Sequence, residues 1–320
     1  MTTRNLLLLM LAAAAGSAGA QSAAYPGKPV RIVVPSSPGG GTDILARIVA
    51  QKLTENLAQQ FVVENRPGAG QIIGIEAVAR SAADGYTLLM AASAIVINEV
   101  MYRKLPYATL RDFAPVTLGA SLPNILVVHP ALPVKSVREL IALAKARPGQ
   151  LNYSSAGNGT SPHMSMELFR AMAGITLAHI PYKGTGPATT DLLAGQVQLS
   201  MPNVLTALPQ IKGGKLRALG VTSGRRATGL PDIPAIAESV PGYEAIQWYG
   251  VLAPVGTPRE IVNKLQSEVA RILVLPEVKE RLSADGADPV GNRPEEFAAY
   301  IRAELGKWGK VVNAGGIKLE

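Results

Sequence analysis

The stretch NYSSAGNGTSPHMSMELF, Asn152 to Phe169, decides how this chain is read. A short β-prone segment runs into small polar residues and glycines, and a helical pattern begins at the proline. The same unit of strand, Gly-rich loop and helix returns as VPSSPGGGTDILARI from Val34 and as IPYKGTGPATTDLLAG from Ile180. Strands that feed helices through short loops are βα units, so the expected class is α/β, with mainly parallel sheets flanked by helices.

Working outward, the strand VRIVVP and the helix TDILARIVAQKLTENL open a first series, followed by strand FVVEN, helix IIGIEAVARSA and strand YTLLMAAS. A second series holds helix SVRELIALAKA, strand LNYSS, helix PHMSMELFRAMAG, strand LAHIPY, helix ATTDLLAG and strand VQLSM. Two Pro-rich passages flank it, LPYATLRDFAPVTLGASLPNILVVHP and LPDIPAIAESVPGYE, and both read as irregular crossings between two lobes. After the strand WYGVLAP, two or three helices between Pro258 and Asn313 have no further strand and should pack back on the first lobe. The expected division is residues 25–123 plus 250–320 for lobe 1 and residues 124–249 for lobe 2. A chain that crosses twice suits a hinge and a cleft that closes on a ligand.

The beginning of the chain reads as an export signal over residues 1–20. Arg4 supplies positive charge, Leu6 to Ala15 form a short apolar run, and Ala18 and Ala20 have the spacing of a cleavage site. That run is half the length a membrane span needs, about 20 residues. With no cysteine in the chain there is neither a disulfide framework nor a thiol for a lipid anchor, and a periplasmic address follows.

The formal charge of +8 comes from 31 Lys and Arg scattered among 23 acids, with only 5% aromatic residues. Nucleic acid binding calls for a clustered basic stripe with interleaved aromatics, so a small anionic ligand is the expected partner. Helix starts can supply its site. The first backbone N–H groups of a helix have no intrahelical partner, and the macrodipole places positive charge there. Gly39, Gly40 and Gly41 allow close approach, and Ser36, Ser37, Thr42, Ser154, Thr160 and Ser161 add hydroxyls. Each loop taken alone also fits ordinary capping; three of them divided between two lobes point to an anion in the cleft, a carboxylate above all. Phosphate is the rival, but neither G-x-x-x-x-G-K-[ST] nor G-x-G-x-x-G after a strand occurs.

Lys183 is a candidate for pairing with ligand charge, Tyr182 and Trp248 for an apolar wall or a hydroxyl, and Asp43 and Asp191 for a bridging water, ammonium or hydroxyl. Ser93, at the end of its strand, completes this set. The inventory for catalysis is thin. The sequence has no G-x-S-x-G, and His129, His163 and His179 lie in three elements without ligand spacing, so no metal, cofactor or catalytic residue is expected. His163 suits a loop-supporting role better than that of a base acting on Ser155 or Ser161.

The stretches YPGKPVRIVVP, PGGGTD, ENRPGAG, ADGYTLL, SSAGNGTSPHMSMELF, IPYKGTGPATTDLLAGQV, GKLRALGVTS and WYGVLAPVGTP, in this order from Tyr25 onward, resemble the periplasmic receptors of tripartite tricarboxylate transporters, the Bug family. The resemblance implies a two-lobed Venus-flytrap protein, a monomer, that holds an organic carboxylate and delivers it to membrane subunits of a tripartite transporter. It implies a pincer made by Gly39 to Asp43 and by Asn158, Gly159, Thr160 and Ser161, with Lys183, Gly184 and Asp191 nearby. The family often has an aromatic residue directly after VP, where this chain has Ser36, and the change favours a more polar ligand. A sensory receptor for the same ligand, or a hydrolase using His163, are the alternatives.

Overall fold

The computed structural model describes residues 25–227, 229–284 and 286–315. The expected export signal at residues 1–20 lies outside them. The strands are β1 (Val30–Val34), β2 (Phe61–Asn65), β3 (Thr87–Ala92), β4 (Phe113–Pro123), β5 (Ile125–Val128), β6 (Asn152–Ser155), β7 (Ala178–Pro181), β8 (Leu199–Ser200), β9 (Arg217–Val221), β10 (Ile246–Pro254) and β11 (Asp288–Pro289). The helices are α1 (Gly41–Leu57), α2 (Ile72–Ala79), α3 (Ala94–Met101), α4 (Thr109–Asp112), α5 (Val137–Ala146), α6 (Ser161–Ala173), α7 (Thr185–Leu193), α8 (Val204–Lys212), α9 (Arg259–Leu273), α10 (Pro276–Ala284) and α11 (Pro294–Gly315).

Two sheets, one per lobe, carry the fold. The first runs β11-β4-β10-β3-β1-β2 and the second β7-β6-β8-β5-β9. Both are mixed, which corrects the expectation of mainly parallel sheets. The βα units pair in parallel, as β1 does with β2 and β3, and β6 with β7 and β8. The crossing segments add antiparallel strands: β10 between β3 and β4, and β5 between β8 and β9.

The Pro-rich passage expected to be irregular is instead β4 and β5, with only Asn124 between them. Proline argues against a strand because it lacks the N–H of the ladder. Here Pro123 ends β4, and Pro115 pairs with Leu252 at a register shift, where a missing donor costs least. Helix α3, which the sequence reading left unassigned, precedes this passage, and the short α4 lies within it. Across the hinge Thr222 donates its N–H to the Asn124 carbonyl at 2.9 Å, and Asn124 returns its own N–H to Thr222 Oγ1 at 2.8 Å. The two crossings are thereby tied together.

The C-terminal helices do pack back on the first sheet, where α9 and α11 lie against β4. Gly250 in β10 makes this possible, since a Cβ there would sit 2.3 Å from Phe297 Cζ of α11. Trp248 and Trp308 are fully buried at the same interface, and both indole N–H groups donate to Glu304 Oε2, at 3.1 and 3.0 Å. In the second lobe Tyr153 of β6, His179 of β7 and His163 of α6 stack face to face, with centroids 4.7 and 4.2 Å apart. Ser155 Oγ lies 2.6 Å from His179 Nε2, and Gly159 donates its N–H to His163 Nδ1 at 3.2 Å, so the stack braces the loop after β6. Burial, helped by the Arg170 charge, lowers the His163 pKa to about 4. Burial first, then His163 and Arg170, lowers that of His179 to about 3.

Two outcomes follow from this packing. Glu304→Ala leaves two buried indole donors without an acceptor and should cost roughly 2–4 kcal/mol in urea unfolding; a loss below about 0.5 kcal/mol would mean that the shared acceptor contributes little. The histidines give a pH signature. The unfolded chain takes up their protons from about pH 6.5 downward, while the folded stack resists until about pH 4. Stability therefore falls as pH drops through that window. Melting temperatures between pH 7.5 and pH 4 should decline for the parent and decline less steeply for His163→Gln.

Candidate binding site between the lobes

Four helices begin at one small volume between the sheets: α1 of the first lobe and α6, α7 and α8 of the second. Their starting residues Gly40, Thr42, Thr160, Ser161, Thr185 and Asn203 line a cavity there. Three of the four starts, at N-caps Gly40, Thr160 and Gly184, have no side-chain cap. Only α8 is capped in the ordinary way, with Asn203 Oδ1 accepting from the Thr206 N–H at 3.1 Å. Uncapped N–H groups that are also buried are costly unless something negative or polar meets them.

Glycine at position 41 is fixed by space. A Cβ would stand 2.5 Å from Tyr249 Oη and 2.6 Å from Asn203 Oδ1, so the α1 backbone enters between two polar groups of the wall. The loop before it is held by Asp43, which accepts hydrogen bonds from Gly39 N–H (3.0 Å), Arg47 Nε (3.0 Å) and Asn65 Nδ2 (2.9 Å). Burial pushes the Asp43 carboxyl up, but these bonds outweigh it and hold the group below its usual range. Asp43 is therefore a charged strut whose hydrogen-bonding capacity goes to the loop and not to the cavity.

The rest of the wall comes from the first lobe and the hinge. Ser36 follows β1, Gln71 precedes α2, Gln247 and Tyr249 lie on β10, and Asn124 sits at the crossing. Ser93 donates to Gln247 Oε1 at 2.7 Å and so fixes that amide. Asn124 Nδ2 donates to Ser161 Oγ (2.9 Å) and Ser165 Oγ (3.0 Å), joining the hinge to the start of α6. Burial pushes the Tyr249 phenol up, which keeps it a neutral donor. Among the described residues, no Lys, Arg, Asp or Glu lines the cavity. The void measures about 20 Å³, room for about one water.

Of the expected residues, Ser36, Gly40, Thr42, Thr160 and Ser161 reach the cavity, and Gly41 stands against its wall. Others sit just behind it. Ser37 Oγ lies 2.2 Å from where a Gly184 Cβ would be, across the lobes, and the Asn158 carbonyl abuts Gly70 in the same way. Gly159 bonds to His163, and Thr160 Oγ1 donates to the Gly157 carbonyl at 2.6 Å, so that hydroxyl supports the loop. Ser154 donates to the Ala188 carbonyl inside the second lobe.

Trp248, Lys183, Tyr182 and Asp191 are placed away from the cavity lining. Trp248 is core and points to Glu304, its neighbours Gln247 and Tyr249 taking the cavity side of β10. Lys183 is exposed. Tyr182 and Asp191 bond to each other at 2.7 Å and do not line the void. His163 accepts a backbone N–H and lies in a stack, which leaves no base aimed at Ser161. Sequence reasoning missed Gln71, Asn124, Thr185, Asn203, Gln247 and Tyr249. The period-2 alternation of β10 marked two of these, once the parity was known. A wider cleft of about 320 Å³ lies beside Pro123, Arg225, Arg226 and Ile246. None of the four helix starts reaches it, and Arg226 is already paired with Glu238.

Comparison with known proteins places this geometry. The family model described as "Tripartite tricarboxylate transporter family receptor" matches residues 45–317. Protein BugT of Bordetella pertussis is 39% identical over 324 residues, covering 100% of this chain and 99% of its own. Among solved structures, Rpa4515 of R. palustris with adipate superposes with a TM-score of 0.90 at 40% identity, covering 92% of this chain and 99% of that one. MatC of Rhodopseudomonas palustris with bound malate gives 0.86 at 32% identity, covering 90% and 100%. This is a family of solute-binding receptors and not of enzymes. Since the likeness extends through both sheets and the loops that close on the cavity, the chain belongs to the tripartite tricarboxylate transporter receptor family.

Proposed function

We propose that this protein is a periplasmic receptor that captures a small organic carboxylate between its lobes and delivers it to the membrane subunits of a tripartite transporter. The observation that carries the reading is the convergence of four helix starts, three of them without a side-chain cap, on one cavity lined by neutral groups. A carboxylate meets those donors with two oxygens and about four lone-pair sites. The adipate and malate in the two neighbouring structures support the same chemistry for their own proteins. The bodies that separate are residues 25–123 plus 246–315 and residues 124–245, the expected break at 249/250 moving to the start of β10 because Ile246 to Tyr249 pair with β4, with Asn124 at one crossing.

A thermal-shift screen against organic acids, with phosphate and nucleotides as controls, tests the class. A ligand at 100 times its Kd stabilises by about 2.7 kcal/mol, which raises the melting temperature by several degrees. A response to phosphate or nucleotide alone would sink the carboxylate reading. The two adjacent glycines then separate the site from general loop effects. Gly41→Ala drives a methyl into Tyr249 and Asn203 and should weaken carboxylate binding at least tenfold by calorimetry. Gly40→Ala meets nothing closer than 3.8 Å and should stay near the parent value. Equal affinities for the two variants would place the ligand elsewhere.

A further inference from the structure

The helix starts account for a carboxylate, yet they leave part of the cavity unexplained. Among the described residues, Gln71 Oε1, Asn124 Oδ1 and Ser36 Oγ find no hydrogen-bond partner although buried, and all three residues line the void. They are 8%, 0% and 6% exposed. Two of these atoms are amide oxygens, which only accept, and a carboxylate ionised at neutral pH also only accepts. A carboxylate group cannot pair with the two amide oxygens.

Gln71 is held in place at a cost. It has φ +81°, and Ala69, two residues before it, has φ +45°, so two non-glycine residues are left-handed within three positions. Side chains rarely adopt that region, and such outliers persist where surrounding structure enforces them. The turn is pinned by the Gln71 N–H on the Gly68 carbonyl at 2.9 Å and by Asn98 Nδ2 on the Gly70 carbonyl at 2.8 Å. Asn124 is similarly committed. Its amide nitrogen is spent on Ser161 and Ser165, and its oxygen is left over.

We infer that the ligand carries, besides its carboxylate, a hydrogen-bond donor, either a hydroxyl or an ammonium group, which Gln71 receives with Ser36 and Asn124 beside it. The inference rests on the carboxylate reading above and narrows it. Gln71 is then a residue that sets specificity, and an unsubstituted acid leaves its oxygen buried and unpaired, the situation that discriminates most strongly between near-identical ligands.

Calorimetry on the purified protein with matched acids tests this: succinate against malate and aspartate, and adipate against its hydroxy and amino derivatives. The donor-bearing member of at least one set should bind about tenfold tighter or more, and the hydroxyl and ammonium arms identify which donor is read. Gln71→Met, which keeps the bulk without the acceptor, should reduce that preference to within about threefold, chiefly by weakening the donor-bearing acid. Ser36→Ala, a milder change, should reduce it in part and serves if Gln71→Met does not fold. Matched acids bound equally by the parent, or a preference undiminished in both variants, would overturn the inference and leave the carboxylate reading standing. If no acid of either kind binds, the carboxylate reading falls and takes this inference with it.

Discussion

Everything in this molecule is arranged around backbone N–H groups that the fold itself leaves unpaired. A helix cannot satisfy its first donors, and most proteins cover them with a Ser, Thr, Asp or Asn side chain. Here Gly40 and Gly184 have no side chain to offer, and Thr160 turns its hydroxyl to the Gly157 carbonyl. The starts are buried between lobes, where water has little access. Such a cavity is complete only with a polar or anionic partner, and the surrounding residues can be read as supports for it. Asp43 braces one loop, the His163–His179 stack braces another, and Ser93 holds Gln247.

The hinge is part of the same arrangement. Asn124 is the single residue between β4 and β5, so under the proposed closure it is the residue that would bend. Its backbone is tied to Thr222 on the return crossing, and its side chain is tied to the first turns of α6. A ligand that touches the Asn124 amide therefore acts on the position about which the lobes turn. Differential contact of this kind is what a closing transition requires, because a ligand shifts an equilibrium only as far as it prefers one state.

The sequence made the α/β class legible, along with the repeated βα units and the loops that carry Ser36, Gly40, Thr42, Thr160 and Ser161, because these depend on local signals: period, glycine and cap residues. It hid what depends on pairing between distant segments. Nothing local tells that FAPVTLGASLP forms an eleven-residue strand despite its prolines, since its partner β10 lies more than a hundred residues away. The same non-locality hid the wall. Trp248 looked like a ligand platform and Gln247 and Tyr249 went unnoticed, because the face of β10 that meets the cleft is decided by α11 covering the other side. Gln71 was hidden by its conformation, which propensity does not anticipate at a glutamine.

That no cationic side chain lines the cavity among the described residues bears on how such a receptor works. A buried guanidinium or ammonium would hold a carboxylate by charge, but it would have to be desolvated in the closed state and would leave an uncompensated charge whenever closure happened empty. Helix-start N–H groups are already part of the fold and carry only partial charge. They also point in fixed directions, so selectivity passes to geometry and to the acceptors opposite them. A neutral site of this kind ties affinity to closure, because each lobe alone presents only some of the donors. Opening would then weaken every contact at once, which suits the delivery proposed above.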